Sequence, residues 1–534
     1  MRARVDSVSL WLWFGAIVAG VALGFGAAFP SAWPLSWLAA GSLTGLIIAQ
    51  TRRSSGQGLA LVLLSWAAWQ LGGTGWVALA VRDGQHAVAW RVAVLAVLLW
   101  FQVLPVLGTW LVLGWFARRA GPAFERDPWQ LMLRYGLTLA CAETLRQSGW
   151  WGSGYASLGA AFLDVPGAKL VIPVLGSAGW GLVVWASAAL SALVVWFHLG
   201  GGGRAMVGTA VALAVVVAGL GALGWRETGP LPAWTQARPD TPVHAMVVQP
   251  PGEWTKSWTV KTRDEAVALL KKALAAAPRE AVVVTAETYF PEPPPQRPEG
   301  VWLDVVNRAH ASRAHLLVGM PHLLRDTDGV HMMNSVVQLS PNRQSLYAKE
   351  RLVPGGEYLP WSGLLGPVYA QAFDNVRTGQ RAGPAELMAP MFVAGETVGV
   401  SICHELSFTA TMVDRAREAN WLVNLADDVW IDEDLYRRQM LGVARLRALE
   451  SGKPVLRVSQ GAPSVLVLPD GSVAAQAPDA GAQLLPVQFS PYDGRTPYHR
   501  YFDILACVPL ALAALWCVGA LVRRLAQPQP AELT

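Results

Sequence analysis

The chain has 534 residues, 53% of them hydrophobic and only 15% charged, with a formal charge of +5. An ordinary soluble protein carries about a quarter charged residues, so the composition excludes a purely soluble enzyme. With no dense Lys/Arg block, it also excludes a nucleic-acid-binding footprint.

Apolar runs fill most of the first 225 residues, and a spanning helix needs roughly 20 apolar residues. The candidate spans are 8–29, 34–50, 58–81, 92–116, 129–148, 167–197 and 205–225, with an eighth at 504–522. The first run is too long, and too closely followed by others, for a cleaved signal peptide. Basic residues set the orientation. Arg2 and Arg4, Arg52 and Arg53, Arg118 and Arg119, Arg204, and Arg523 with Arg524 fall on one side of an eight-span arrangement. That side is cytoplasmic, which places residues 226–503 outside. Many of the 26 Trp residues, among them Trp33, Trp37, Trp150, Trp151 and Trp225, stand near span ends as interfacial anchors. The fifth span is the weakest because it holds Glu143 and runs into Arg146. The two form either an ion pair one helical turn apart or an intramembrane functional site. The predicted domains are a membrane domain over 1–226 (seven spans), an extracytoplasmic domain over 227–500, and a closing span with a cytoplasmic tail over 501–534.

In the polar domain, short β-branched runs alternate with amphipathic stretches. Strands are predicted at 244–248, 281–285, 316–320, 333–339, 397–402, 421–425, 455–458 and 464–468. Helices are predicted at 263–277, 301–314, 409–420 and 435–450. The alternation implies a layered α/β domain with buried strands. No Gly-rich phosphate loop joins a strand to a helix, so nucleotide binding has no support.

Three ionisable residues stand where a layered α/β fold opens its ligand crevice. Glu287 ends the run from Ala281, Cys403 ends the run from Val398, and Lys349 follows Tyr347-Ala. Of four cysteines, Cys403 alone lies in the polar domain, so neither a disulfide framework nor a CxxC metal site is available there. Singly these residues are unremarkable: a solvated turn Glu, a core Cys, a surface Lys. Together they supply thiol acyl transfer. A carboxylate takes the thiol's proton, the same acid returns it to the leaving group, and an ammonium stabilises the oxyanion.

In this order Glu287, Lys349 and Cys403 resemble the triad of the nitrilase, or carbon–nitrogen hydrolase, superfamily. The surrounding residues are closer to one membrane-embedded branch, the apolipoprotein N-acyltransferases. Lys349-Glu-Arg-Leu-Val-Pro-Gly-Gly-Glu-Tyr-Leu-Pro resembles that family's lysine segment, and Ile402-Cys-His-Glu its nucleophile segment. Ala444-Arg-Leu-Arg-Ala-Leu-Glu and Lys453-Pro-Val-Leu-Arg resemble the helix and strand that follow. Glu143-Thr-Leu-Arg resembles the family's Glu-x-x-Arg region.

The resemblance implies an α-helical membrane domain of about eight spans joined to an αββα sandwich. It implies Cys403 as nucleophile, Glu287 as general base and acid, and Lys349 as the oxyanion's partner. Glu357 and Glu405 look like supporting carboxylates, while Trp258 and Trp430 match aromatic positions near substrate. The expected reaction moves an acyl chain from a phospholipid, through a thioester, to the N-terminal amine of a diacylglyceryl-cysteine lipoprotein. No metal or organic cofactor is implied, and the expected place is the bacterial inner membrane, with the catalytic domain periplasmic. Three places depart from the family pattern, the first being Gln147-Ser-Gly-Trp-Trp-Gly-Ser-Gly-Tyr, where Phe-Pro-Trp is usual. His404 stands where Tyr is usual, and Ala426-Asp-Asp stands where an Asn/Ser-Asn-Asp pattern is usual. These departures leave a second expectation open, a membrane-tethered amidase or acyltransferase with a different acceptor, such as a paralogue from a conjugation or pilus system.

Overall fold

The structure is a computed structural model that describes residues 7–80, 87–148, 154–292, 299–327, 329–353, 357–358, 380–429, 431, 433–478 and 481–527. Arg2, Arg4, Trp150, Trp151 and Trp430 lie outside the described residues. The chain divides into two units, one from residues 1–78, 91–232 and 501–534, the other from 79–90 and 233–500.

Among the described residues, eight helices run for 20 residues or more. They are α1 (Ser7–Gly26), α2 (Trp33–Arg53), α3 (Ser55–Thr74), α4 (Ala87–Arg119), α5 (Pro128–Ser148), α6 (Ala168–Leu199), α7 (Gly203–Arg226) and, near the end of the chain, Phe502–Leu525. Four stretches are long and apolar enough to cross a membrane: Pro30–Arg53, Ala168–Leu199, Gly203–Arg226 and Phe502–Leu525. Helices α1 and α3 pack closely because neither carries a side chain where they meet. A methyl group added at Gly24 would stand 2.3 Å from the Trp69 carbonyl oxygen, and one at Gly72 would stand 2.6 Å from that of Val21. Small residues are the usual means of such an approach between apolar helices. Helix α6 breaks at Gly176, whose φ of 72° is not helical, three residues after Pro173.

The second unit is built on two six-stranded sheets. In the first, β2 (Val243–Gln249), β3 (Val282–Thr285) and β4 (His315–Asp326) run parallel. β13 (Gln483–Phe489) borders β2, while β5 (Gly329–Ser340) and β6 (Arg343–Ala348) extend the other side antiparallel. In the second, β8 (Glu396–Ile402), β9 (Trp421–Asp427) and β10 (Val455–Gln460) run parallel. β7 (Met391–Val393) flanks β8, and β11 (Val465–Val467) and β12 (Val473–Gln476) follow β10 antiparallel. A short ribbon pairs β1 (Thr235–Ala237) with β14 (Tyr492–Gly494).

Strand alternation decides which side chain goes where. Val243, Ala245 and Val247 of β2 join Val282, Val284 and Leu317 in a core shared with Val398, Val400, Trp421, Val423 and Leu456 of the other sheet. From the same strands Met246, Val248, Val283 and Leu316 face the opposite way, onto α8 (Val260–Ala276) and α9 (Glu299–Ser312). Helices α10 (Thr409–Ala416) and α11 (Asp434–Ser451) pack on β8 and β10 of the second sheet. Phe502–Leu525 is α12. The order is helices, sheet, sheet, helices: the expected αββα sandwich. Each predicted strand and helix of this unit exists, with shifted ends. α8 starts earlier, at Val260, because the Thr259 and Thr262 side chains form a reciprocal cap. α10 stops at Ala416, and β6, β7, β12 and β13 were not predicted. Lys349 therefore follows its own strand, β6, rather than trailing β5.

Candidate active site

The sheets present the carboxyl ends of their parallel strands to one place, where open α/β folds bind ligands. Glu287 follows β3, Cys403 follows β8, Asp427 ends β9 and Gln460 ends β10.

Glu287 is 5% exposed and fully engaged. Its Oε1 accepts from Asn334 Nδ2 at 2.6 Å and from Lys349 Nζ at 3.3 Å, and its Oε2 accepts from the backbone N–H of Asp427 at 2.8 Å. Gln460 Nε2 donates to its carbonyl at 3.1 Å. Thr288, next in the chain, has φ of 51°. The turn can pass so close to β4 only because residue 319 is glycine. A Cβ there would lie 2.3 Å from the Ala286 carbonyl oxygen and 2.8 Å from Glu287 Cα.

Lys349 is buried, and its Nζ also donates to Glu357 Oε1 at 2.7 Å. Asn334 Nδ2 bonds that same oxygen at 3.1 Å, so one amide ties both acids together, while Glu357 Oε2 accepts from the Val353 N–H at 2.8 Å. Burial pulls the pKa of the ammonium down, but Glu287 and Glu357 more than reverse that and hold it well above the usual lysine value. Burial raises Glu287, against the pull of Lys349.

Cys403 opens a short 3-10 turn and adopts φ of 55°, the left-handed region that costs a non-glycine residue about 1–2 kcal/mol. Two contacts hold it there. Asn424 Nδ2 donates to the Cys403 carbonyl at 3.1 Å, and the Ile402 N–H donates to Glu405 Oε2 at 2.6 Å. Burial pushes the thiol well above its ordinary value, Glu287 adds to this, and Lys349 opposes it. The resting sulfur is therefore a thiol within the field of both a carboxylate and an ammonium.

Glu405 has no exposed surface and joins the segment around Lys349 to that around Cys403. Besides the Ile402 N–H, it accepts from the Tyr347 hydroxyl at 2.9 Å and from the N–H groups of Glu350 and Arg351 at 2.7 and 3.0 Å. Those partners bracket Lys349 in sequence. Rather than facing a substrate, this carboxylate clamps the lysine segment to the cysteine turn. His404 is buried, packs edge-on against Phe408, and neither of its ring nitrogens has a hydrogen-bond partner among the described residues. Burial, with Lys349 and Arg351 nearby, keeps the ring neutral by lowering its pKa well below 6.5.

Two domain families are recognisable in the chain. The Carbon-nitrogen hydrolase family matches residues 247–493, which contain all of these groups. The Apolipoprotein N-acyltransferase N-terminal domain matches residues 19–190. Proteins named apolipoprotein N-acyltransferase align with both. The one from Ralstonia nicotianae is 28% identical over 85% of this chain and 83% of its own length, and that from Nitrosomonas europaea 25% over 83% and 84%. One from Chromobacterium violaceum is 34% identical, over 39% of this chain and 40% of its own length. Over most of its length the chain is similar to proteins named apolipoprotein N-acyltransferase.

The family's N-terminal domain contains the Glu143–Arg146 pair, which lies buried on α5 with Nη2 and Oε2 2.8 Å apart. Arg146 Nη1 also donates to the Tyr155 carbonyl at 2.6 Å, and Glu143 Oε1 accepts the Leu158 N–H at 3.3 Å. The pair fastens the segment after α5 to that helix. Trp258 packs edge-on against Phe290 in the cluster beneath α8 and α9 and makes no hydrogen bond to the acids. Asn334, Asn424 and Gln460 escaped the sequence reading, and Asp427 entered it only within a departure from the family pattern. Asn424 left a trace, as the lone amide inside an otherwise apolar run.

Proposed function

We propose that this chain is a membrane-embedded acyltransferase that moves an acyl chain from a phospholipid, via a Cys403 thioester, to the N-terminal amine of diacylglyceryl-cysteine lipoproteins. The observation that carries this reading is the buried Glu287–Lys349–Glu357 network beside a strained cysteine turn, in a chain with both domains of its family.

In the first step Glu287 takes the Cys403 proton as sulfur attacks the ester carbonyl, and Lys349 stabilises the oxyanion. Glu287 then returns the proton to the departing alcohol, leaving a thioester and a lysophospholipid. In the second step Glu287 takes a proton from the acceptor amine, which attacks the thioester to give the amide, and the thiol is restored. A preorganised cation at the oxyanion is worth about 3 kcal/mol in such steps.

The membrane arrangement belongs to the same reading. It has seven spans over 1–226, a periplasmic catalytic domain over 227–500, and a closing span and tail over 501–534. The N-terminus is cytoplasmic and the membrane is the bacterial inner membrane. Both substrates are anchored lipids, which gives the apolar helices a purpose.

The test is complementation of a strain depleted of its own lipoprotein N-acyltransferase, read by mass spectrometry of lipoprotein N-termini. The wild-type chain restores triacylated termini, and Cys403→Ala restores none and accumulates no acyl-protein. Wild-type acyl-enzyme formation without triacylation would point to a different acceptor. Acyl transfer by Cys403→Ala would end the mechanism.

A further inference from the structure

Asn424 is an amide in the middle of β9 with no exposed surface. Val423 and Leu425 on either side point into the core between the sheets. Strand alternation therefore turns Asn424 the other way, toward the helices that cover the second sheet. Ser401 is its partner in the parallel register of β8 and β9 and faces the same way, since Val400 and Ile402 belong to that core.

The amide nitrogen finds three acceptors on β8 and the turn after it. They are the Ser401 carbonyl at 3.3 Å, the Ser401 hydroxyl at 3.1 Å and the Cys403 carbonyl at 3.1 Å. Ser401 Oγ gives its one hydrogen to the Val423 carbonyl at 3.3 Å, so toward Asn424 it accepts. This decides which end of the amide faces the turn. Rotated by half a turn, its oxygen would stand against two carbonyls and a hydroxyl with no hydrogen left.

The carbonyl it holds belongs to the residue with φ of 55°, a conformation that residues bearing a side chain rarely adopt. Rotation about the N–Cα bond of Cys403 moves its Cβ, Sγ and carbonyl carbon together relative to β8, so a tether on the carbonyl is also a tether on the sulfur. Downstream, the bond from the Ile402 N–H to Glu405 Oε2 closes the turn at 2.6 Å. Glu287 and Lys349 come from the first sheet, after β3 and β6, whereas Asn424 reaches the turn from the helix side of the second. Its hydrogen bonds meet the nucleophile's backbone and none of the reacting atoms.

We propose that Asn424 is a positioning residue for the acyl transfer: by tying the Cys403 carbonyl to β9 from behind, it keeps the nucleophile in its left-handed turn and fixes where Sγ stands relative to Glu287 and Lys349. This rests on the reading of Cys403 as nucleophile and Glu287 as its base.

The test is alkylation of Cys403 by iodoacetamide in the full-length protein in detergent, with peptide mass spectrometry separating Cys403 from the other three cysteines. The S–H bond breaks, Glu287 receives the proton, and sulfur keeps the electron pair and forms the S–C bond as iodide leaves. Asn424→Leu, of similar size but without a donor, slows the reaction by roughly tenfold to a hundredfold, the scale of a misplacement of about 1 Å. Asn424→Asp gives a sharper readout, because it puts an O–H where the N–H stood. A buried carboxyl keeps its proton to higher pH than an exposed one, and while protonated it can donate to the Cys403 carbonyl; once ionised, it turns a negative oxygen on that carbonyl. The ratio of the N424D rate to the wild-type rate therefore falls between about pH 6 and about pH 9. Ser401→Ala removes a different acceptor of the same amide and stays close to the wild type. A wild-type rate in N424L, a flat ratio in N424D, or a loss in S401A as large as that in N424L overturns the proposal. If N424L does not fold, the N424D ratio decides. Alkylation involves neither acyl donor nor acceptor, so its failure leaves the acyl-transfer reading to be decided by the lipoprotein assay.

Discussion

Glu405 shows how much one side chain can organise. Four donors from two segments converge on its two oxygens, and all four are N–H or O–H groups that require an acceptor. Glu405→Gln replaces one oxygen with an NH2 that points hydrogen at hydrogen. An unsatisfied buried donor costs about 1–3 kcal/mol, so the apparent unfolding midpoint in detergent drops. Because the clamp sets where Lys349 lies relative to Cys403, acyl transfer falls by at least tenfold. A variant that keeps the wild-type rate would show that the clamp is dispensable for the chemistry. This residue was legible from sequence only as a neighbour of the nucleophile. Two of its partners are backbone groups 54 and 55 positions away and a third is a hydroxyl 58 away, and no local pattern announces such a pairing.

At the scale of elements, the turn between β3 and the residues after Glu287 depends on a glycine in the adjacent strand. Gly319→Ala would drive a methyl into the Ala286 carbonyl and the Glu287 Cα. The turn must shift by several tenths of an ångström, at a cost of about 1–3 kcal/mol for overpacking. We expect Cys403 alkylation and acyl transfer to fall together in G319A while far-ultraviolet circular dichroism is unchanged, and an active G319A would refute the close-approach account. Elements of this unit were largely readable because buried strands and amphipathic helices have different apolar periods. Residues 282–284 are a continuous apolar run and 421–426 one interrupted only by Asn424, whereas Ala266, Leu270, Ala273 and Leu274 fall at helical spacing. β6 and β13 were missed for the opposite reason. Their residues alternate weakly and include Arg343, Gln344, Pro486 and Gln488, as expected of strands at the edge of a sheet.

For the whole molecule, the acid limit of stability has an identifiable contributor. His499 is buried, and burial together with Lys453, Arg447, Arg417 and Arg495 lowers its pKa to about 3. The folded chain keeps this ring neutral, while the unfolded chain protonates it below about 6.5. Between those values the unfolded state binds more protons, so stability rises with pH across the window and is lost on acidification from 6.5 downward. The slope from one such group is at most about 1.4 kcal/mol per pH unit. His499→Gln should flatten the fall of the apparent melting midpoint between pH 6 and about 4, and an unaltered slope would assign the acid sensitivity elsewhere.

The sulfur's resting state carries a consequence of its own. Oxidants such as peroxide attack the thiolate, and sulfenic acid forms on cysteines that are both ionised and open to solvent. Cys403 is only partly buried, so what guards it is its proton: burial favours the thiol and the nearby Glu287 charge reinforces it, with Lys349 opposing. The same surroundings that hold the proton on sulfur spare it from idle damage, without any partner thiol in its own domain to protect it.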